Sequence, residues 1–363
     1  MSPSISALYS QIPSVQTPEG ISNSVMQFCQ APEFFPLVVQ KQLRNEALKA
    51  FFQGRRLEKL FIGENINRFD AESMPWQVEV LTPEFFNVED AGLRRLRRKS
   101  LEGAVVLLNN NDIAKARASG GYRDFFEGCA QTIFVAWDWD NHHWLENSVF
   151  VAAHSDLYCP AHHENLYLLS RYNWQIAGPV YCASFQWPRA FLSSWLPHIV
   201  GAQRSNDPLG KHVPYAMFNF RNSVIATLSA QFPTVGFSDQ TFLSRTLEDR
   251  LLEWCGHKVH WIMPVLNDVP IRILDALITG GIPVVPASMK LLPLIREIPE
   301  EYILFFSPGD VVSAQGVVAR AVKRFDEGGV DKIIERHQYA LAHHHAETRI
   351  STILELVRRE FGL

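Results

Sequence analysis

The side chains able to do chemistry gather in two stretches of this chain. The first, Asn267 to Ser288, reads NDVPIRILDALITGGIPVVPAS. Asp268 and Pro270 stand in cap and first-turn positions of a helix, Gly280 and Gly281 stop it, and the apolar run IPVV follows at once as a buried strand. The start of such a helix faces the carboxyl edge of a parallel sheet, where its dipole favours an anion. Arg272 and Asp275 are three residues apart and share one helix face, a cation for phosphate beside a carboxylate for ribose hydroxyls. The same spacing also suits a capped helix carrying a surface ion pair.

The second stretch, Val135 to Trp144, reads VAWDWDNHHW and follows an apolar strand. Its polar residues are expected at the carboxyl end of that strand, where open α/β sheets place functional loops. Asp138, Asp140 and His142 are the candidates for a general base or a nucleophile, because a carboxylate or an imidazole can take a proton from a hydroxyl and a carboxylate can form a covalent adduct. The alternative is an aromatic-rich turn in which Asp140 caps the next helix.

Three smaller sites complete the set. Arg221, in FNFRNS at Phe218 to Ser223, ends a strand and opens a helix, a position for a phosphate cation, and Lys258 could add charge. Gly120, Gly121 and Tyr122, in SGGYRDFF, precede a helix where small residues let backbone N–H groups approach an anion or a sugar; a plain loop-to-helix turn is the preferred reading. The adjacent histidines His162-His163 and His343 to His345 point about 100° apart on a helix and serve one metal ion poorly. LRRLRRK at Leu93 to Lys99 reads as a helix packed by its leucines with a solvated cationic face, able to meet an anionic acceptor or a lipid head group.

These residues need a scaffold, and the hydrophobic rhythm supplies one. Helical spacing runs over Val38 to Phe52 and Val88 to Ser100, and short apolar runs at Leu60 to Gly63, Trp76 to Leu81, Ala104 to Leu108, Thr132 to Trp137, Leu157 to Cys159 and Pro179 to Cys182 predict strands. After the polar GAQRSNDPLGKH the rhythm resumes, with strands over Val213 to Phe220, Thr234 to Phe237, His257 to Val265, Ile282 to Val285 and Tyr302 to Phe306. Helices are expected over Asn222 to Gln231, Thr246 to Cys255, Ile271 to Thr279, Met289 to Ile298, Val311 to Phe325 and from about Asp331 onward. The pattern predicts an α/β protein of two doubly wound, Rossmann-like domains facing a cleft. The expected boundaries are a polar tail over 1–20, a first domain over 21–200, a linker over 201–212 and a second domain over 213–363 that ends in a long helix.

The string RILDALITGGIPVVP resembles the donor-binding segment of GT-B glycosyltransferases, written as L-E-A-x-x-x-G-x-P-V-V. Asp275 stands where that family has a Glu, and the resemblance implies that it grips the ribose of a nucleotide sugar. SPGD at Ser307 to Asp310 and the terminal HHHAETRISTILELV are similar to the endings of exostosin-like and bacterial surface-polysaccharide transferases; the resemblance covers about the last hundred and twenty residues. Asn267 occupies the place of the first Glu of the two-glutamate version. The resemblance implies transfer of a sugar from a nucleotide-sugar donor, bound by Arg221, Lys258, Arg272, Asp275, Gly280 and Gly281, to a hydroxyl of a growing glycan of lipopolysaccharide or capsule type, free or lipid-linked. A CMP-linked acidic sugar such as Kdo is the alternative donor, and a non-catalytic nucleotide- or glycan-binding scaffold the alternative role. GT-B enzymes generally need no chelated metal, so no cofactor is expected and Asp138-Trp139-Asp140 is not read as a manganese site.

Composition removes other classes. The chain has 363 residues, enough for two domains, and 34 Lys+Arg against 38 Asp+Glu give a net charge of −4, which offers no global field for nucleic acid. Its 5 cysteines are odd in number and lack CxxC spacing, which points to a reducing cytoplasm, and neither GxGxxG nor GxxxxGK[ST] is present. No apolar run approaches the ~18 residues that span a bilayer, and the first twenty residues lack the pattern of a secretory leader. A cytoplasmic protein is expected, with any peripheral contact at the inner face of the membrane.

Overall fold

The computed structural model describes residues 34–66, 76–118, 120–139, 145–215, 218–238, 245–265 and 268–363. Two compact units divide them, the first running up to Tyr181 and regaining Ile350–Leu363, the second comprising Cys182–Arg349.

The first unit contains α1 (Phe34–Phe52), β1 (Lys59–Gly63), β2 (Gln77–Leu81), α2 (Ala91–Ser100), β3 (Val105–Asn109), α3 (Asn110–Arg117), α4 (Gly121–Gly128), β4 (Ile133–Asp138), α5 (Leu145–Ala153), β5 (Leu157–Pro160) and α6 (His163–Leu169). Its five strands are all parallel in the order β2-β1-β3-β4-β5. β3 and β4 are buried along their whole length, which is why VVLLN and IFVAWD read as continuous apolar runs, whereas the edge strand β2 is largely exposed. Asn109 and Asp112 form a capping box that starts α3, and Asp112 also accepts from the backbone and side chain of Asn65. Any Cβ at Gly63 would collide with the Asp112 carboxyl, so glycine is required there.

The second unit contains α7 (Arg189–Gly201), β6 (Gly210–His212), α8 (Asn219–Ser229), β7 (Val235–Phe237), α9 (Leu247–Cys255), β8 (Val259–Trp261), α10 (Ile271–Ile278), β9 (Ile282–Pro286), α11 (Pro293–Glu297), β10 (Leu304–Phe306) and α12 (Ala314–His344). β6 pairs with β7, and β8 pairs with β9, which pairs with β10, all in parallel. Leu209, just before β6, bridges to His260 in parallel, donating to Val259 O and accepting from Trp261 N–H. The resulting order β7-β6-β8-β9-β10 repeats that of the first unit. In both sheets the order reverses beside the first strand, the switch point at which open α/β sheets hold ligands. The last helix, α13 (Ala346–Phe361), brings the chain back to the first unit, where Glu360 pairs with Lys49 at 2.7 Å.

Several expectations shift. Pro179 to Cys182 is not a strand: Pro179 has no N–H for a ladder, and only isolated bridges flank the segment. The expected strand Val213 to Phe220 ends earlier, as Gly210–His212, and Phe218 already stands before the first turn of α8. The stretch 201–212 lies inside the second unit, and its last three residues are β6. The two helices expected at the end of that unit are continuous as α12 except at Gly329, whose φ of 56° breaks the helix. Among the described residues no helix is long and apolar enough to cross a membrane.

The end of α10 is held by two guanidiniums and an imidazole whose pKa burial lowers. His337 Nδ1 meets Ile278 O at 2.5 Å, Arg204 Nη2 donates to Thr279 O at 2.7 Å, and Arg336 Nε donates to Gly280 O at 2.9 Å. The two guanidiniums lie 5.2 Å from the Phe325 ring centroid, and burial together with Arg204 pushes the Arg336 pKa down to about 10. Positive side chains at a helix C-terminus complement its dipole and satisfy its last carbonyls. Arg336→Ala therefore leaves a cavity and an unsatisfied carbonyl, and is expected to lower the unfolding free energy in urea by on the order of 3 kcal/mol. A change below about 0.5 kcal/mol, the scale of an ordinary surface substitution, would show the contact to be incidental.

Candidate functional site

The carboxyl ends of β6, β7 and β8 are joined through one imidazole. His212, the last residue of β6, is buried; its Nε2 accepts from Met263 N–H at 3.0 Å, so its Nδ1 carries the proton and donates to Gly210 O at 3.0 Å, with Gly236 O at 3.3 Å. Burial, reinforced by Arg272 and Arg221, holds its pKa well below the usual histidine range. His212 is a neutral structural group at the switch point of the second sheet.

Two arginines converge beside it. Arg221, in the first turn of α8, is 4% exposed and donates through Nη1 to Val213 O at 2.9 Å, while its Nε and Nη2 have no hydrogen-bond partner. Arg272, the second residue of α10, donates through Nη1 to Lys211 O at 3.3 Å, and its Nε has no partner. Burial, then Arg272, pushes the Arg221 pKa down to about 10; burial also lowers that of Arg272, against the opposing pull of Asp268, Tyr215 and Asp275. Neither arginine forms a salt bridge among the described residues. One buried and one half-buried cation that repel one another and keep three nitrogens unpaired form a receptor for an anion with several oxygens.

Asp275 lies one turn further along α10 and is fully buried. Its Oδ1 accepts from Ser184 Oγ at 2.6 Å and its Oδ2 from Gln186 Nε2 at 2.5 Å. Desolvation raises its pKa to about 6, against the two hydrogen bonds and the positive charges of Arg272 and Arg250. The folded chain therefore holds this proton more tightly than the unfolded one. The resulting stabilisation is complete below about pH 4 and is lost as the pH rises through about 6, a change on the order of 3 kcal/mol. Asp275→Asn, which titrates no proton there, is expected to gain stability relative to the wild type between pH 4 and pH 7 in parallel urea melts. A constant difference across that range contradicts the assignment.

The remaining donor-side candidates lie elsewhere in this unit. α10 has eight residues, a length of about 12 Å, so residues beyond its C-terminus cannot share its N-terminal site. Gly280 has φ 74°, and a Cβ there would stand 2.6 Å from Ile333 Cγ2 of α12; a Cβ at Gly281 would stand 2.5 Å from the His260 ring. Both glycines admit close packing. Lys258 precedes β8 at the amino edge of the sheet and pairs with Asp326 at 2.8 Å.

In the first unit Asp138 ends β4, fully buried. Its Oδ2 accepts from Tyr158 Oη at 2.6 Å, which in turn accepts from Asn165 Nδ2 at 3.0 Å. Asp140 and His142 lie outside the described residues. Gly120, in the left-handed region at φ 76°, starts α4, and a Cβ at Gly121 would strike the carbonyl oxygen of Phe86. Tyr122 is buried, packs against Phe86 and Phe134, and donates to His154 O at 2.8 Å. These three residues seat a helix on the core. Sequence reading passed over Ser184, Gln186 and His212: the first two stand in an irregular segment, and the third at the end of an expected linker.

No protein-family model matches this chain, and no curated protein matches it. Among solved structures it is similar to a sucrose-phosphate synthase from Thermosynechococcus elongatus, at 12% identity and a TM-score of 0.46, over 84% of this chain and 99% of that one.

Proposed function

We propose that this protein is a glycosyltransferase that binds a nucleoside diphosphate sugar in its second unit and transfers the sugar to a hydroxyl of a glycan. One observation carries the reading: Arg221 and Arg272 converge with unpaired N–H groups at the carboxyl edge of a parallel sheet, beside the N-terminus of α10. The resemblance of RILDALITGGIPVVP to a nucleotide-sugar motif supports it independently. Two arginines suit the two phosphates of a UDP- or GDP-linked hexose better than the single phosphate of a CMP-linked acidic sugar. When the sugar leaves, negative charge develops on the diphosphate, and preorganised guanidiniums stabilise it without reorganisation. Asp138, Asp140 and His142 are assigned to the acceptor hydroxyl. A growing lipopolysaccharide or capsule chain, free or lipid-linked at the inner face of the membrane, is the acceptor class we assign.

Calorimetric titration with UDP, GDP, CMP and pyrophosphate tests the reading. The diphosphates are expected to bind at least tenfold more tightly than CMP, and equal affinity for CMP would favour the acidic-sugar donor. Because the arginines and the helix terminus supply the positive charge, turnover is expected to survive EDTA. Loss on chelation and recovery with manganese would reassign Asp138 and Asp140 as metal ligands.

A further inference from the structure

We propose that Gln186 reads a hydroxyl of the ligand held by Arg221 and Arg272, and that Asp275 acts as its positioning residue rather than touching the ligand. A carboxylate only accepts hydrogen bonds, each oxygen of Asp275 already accepts one, from Ser184 Oγ and Gln186 Nε2, and the side chain has no exposed surface to offer a ligand. The amide orientation of Gln186 follows: its NH2 end must face Asp275, so its carbonyl oxygen points away. That oxygen, Oε1, is itself buried, in a residue only 9% exposed, and has no partner. An unsatisfied buried acceptor is costly in the free protein and is explained where a ligand supplies the donor.

The segment around Gln186 is fixed from both sides. Ser184 donates its N–H to His344 O at 2.8 Å and accepts from Ala346 N–H at 2.9 Å. Trp187 Nε1 donates to Leu247 O at 2.9 Å, and Trp187 O meets His345 Nε2 at 3.0 Å. Gln186 thus sits between two pinned residues, and its partner Asp275 is one helical turn from Arg272, whose charge it feels. Unpaired N–H donors on the arginines and an unpaired acceptor on Gln186 call for a ligand that carries both anionic oxygens and a hydroxyl. A nucleoside diphosphate has both, in its phosphates and its ribose. The identity of that ligand rests on the transferase reading above.

The test measures calorimetric affinities of UDP, its 2′,3′-dideoxy analogue and pyrophosphate for wild type, Gln186→Met and Asp275→Asn. Wild type is expected to prefer UDP over the dideoxy analogue at least tenfold. Gln186→Met should abolish that preference and leave pyrophosphate binding within twofold. Asp275→Asn should do the same, because an asparagine N–H can engage Gln186 Oε1 and withdraw it from the ligand; this variant carries the test should the first not fold. An undiminished preference for UDP in both variants overturns the proposal, and so does an equal loss for all three ligands, which marks the segment as merely structural. Wild type that binds pyrophosphate but neither nucleotide overturns the transferase reading itself while leaving the anion site standing.

Discussion

Alanine at Arg221 and Arg272 together is expected to abolish measurable binding of UDP and GDP in calorimetry, and each single substitution to weaken it roughly ten- to a hundredfold. Charge-assisted hydrogen bonds to phosphate contribute about 1 to 3 kcal/mol each, and every 1.4 kcal/mol is tenfold in affinity. The stability of these variants is equally diagnostic. Arg221 and Arg272 are desolvated and repel each other, so removing either one relieves a cost to the fold. Each variant also gives up one bond to a backbone carbonyl, so the single variants are expected to unfold within about 1 kcal/mol of wild type, a smaller change than in Arg336→Ala, where the lost bond closes a helix C-terminus. Lost affinity together with a loss of stability as large as that of Arg336→Ala would mark the pair as structural.

A second large effect separates chemistry from affinity. The acceptor hydroxyl must lose its proton as it attacks the anomeric carbon, and a missing general base costs roughly 100-fold or more in turnover. Asp138→Asn, Asp140→Asn and His142→Ala are each expected to leave nucleotide affinity within a few-fold, while at least one loses turnover on that scale. Asp138 is a special case, because its carboxylate is buried against Tyr158 and Asn165. If its role is to hold β5 and α6, Asp138→Asn lowers stability as well as turnover, whereas a base that touches the acceptor affects turnover alone. Wild-type turnover in all three variants would remove the segment from the mechanism. An adduct detected by intact mass on either aspartate, after incubation with donor alone, would indicate double displacement.

The two doubly wound α/β units were legible because buried parallel strands leave continuous apolar runs such as VVLLN and IPVVP, which local pattern detects. Edges were less so: β6 is three residues long and begins in a polar stretch, and its pairing with β7 and β8 depends on His212 and Leu209, which no local pattern reveals. Arg221 and Arg272 could each be found at a helix start; their convergence follows from the strand order. Asp275 reads as a ligand-binding acid because spacing places it on the face of Arg272. Its occupation by Ser184 and Gln186, about ninety positions away in sequence, is a property of the fold alone. The resemblance assigns Gly280 and Gly281 to the same site, although a whole helix separates them from Arg272.

The central claim is that the carboxyl edge of the second sheet, between β6 and β8, holds the diphosphate of the donor. A crystal structure of the protein soaked with UDP tests it most directly. The account predicts phosphate oxygens within hydrogen-bond distance of Arg221 Nε or Nη2 and of Arg272 Nε, with the α10 N-terminus facing the same anion. UDP bound elsewhere, with both arginines still unpaired, would contradict it.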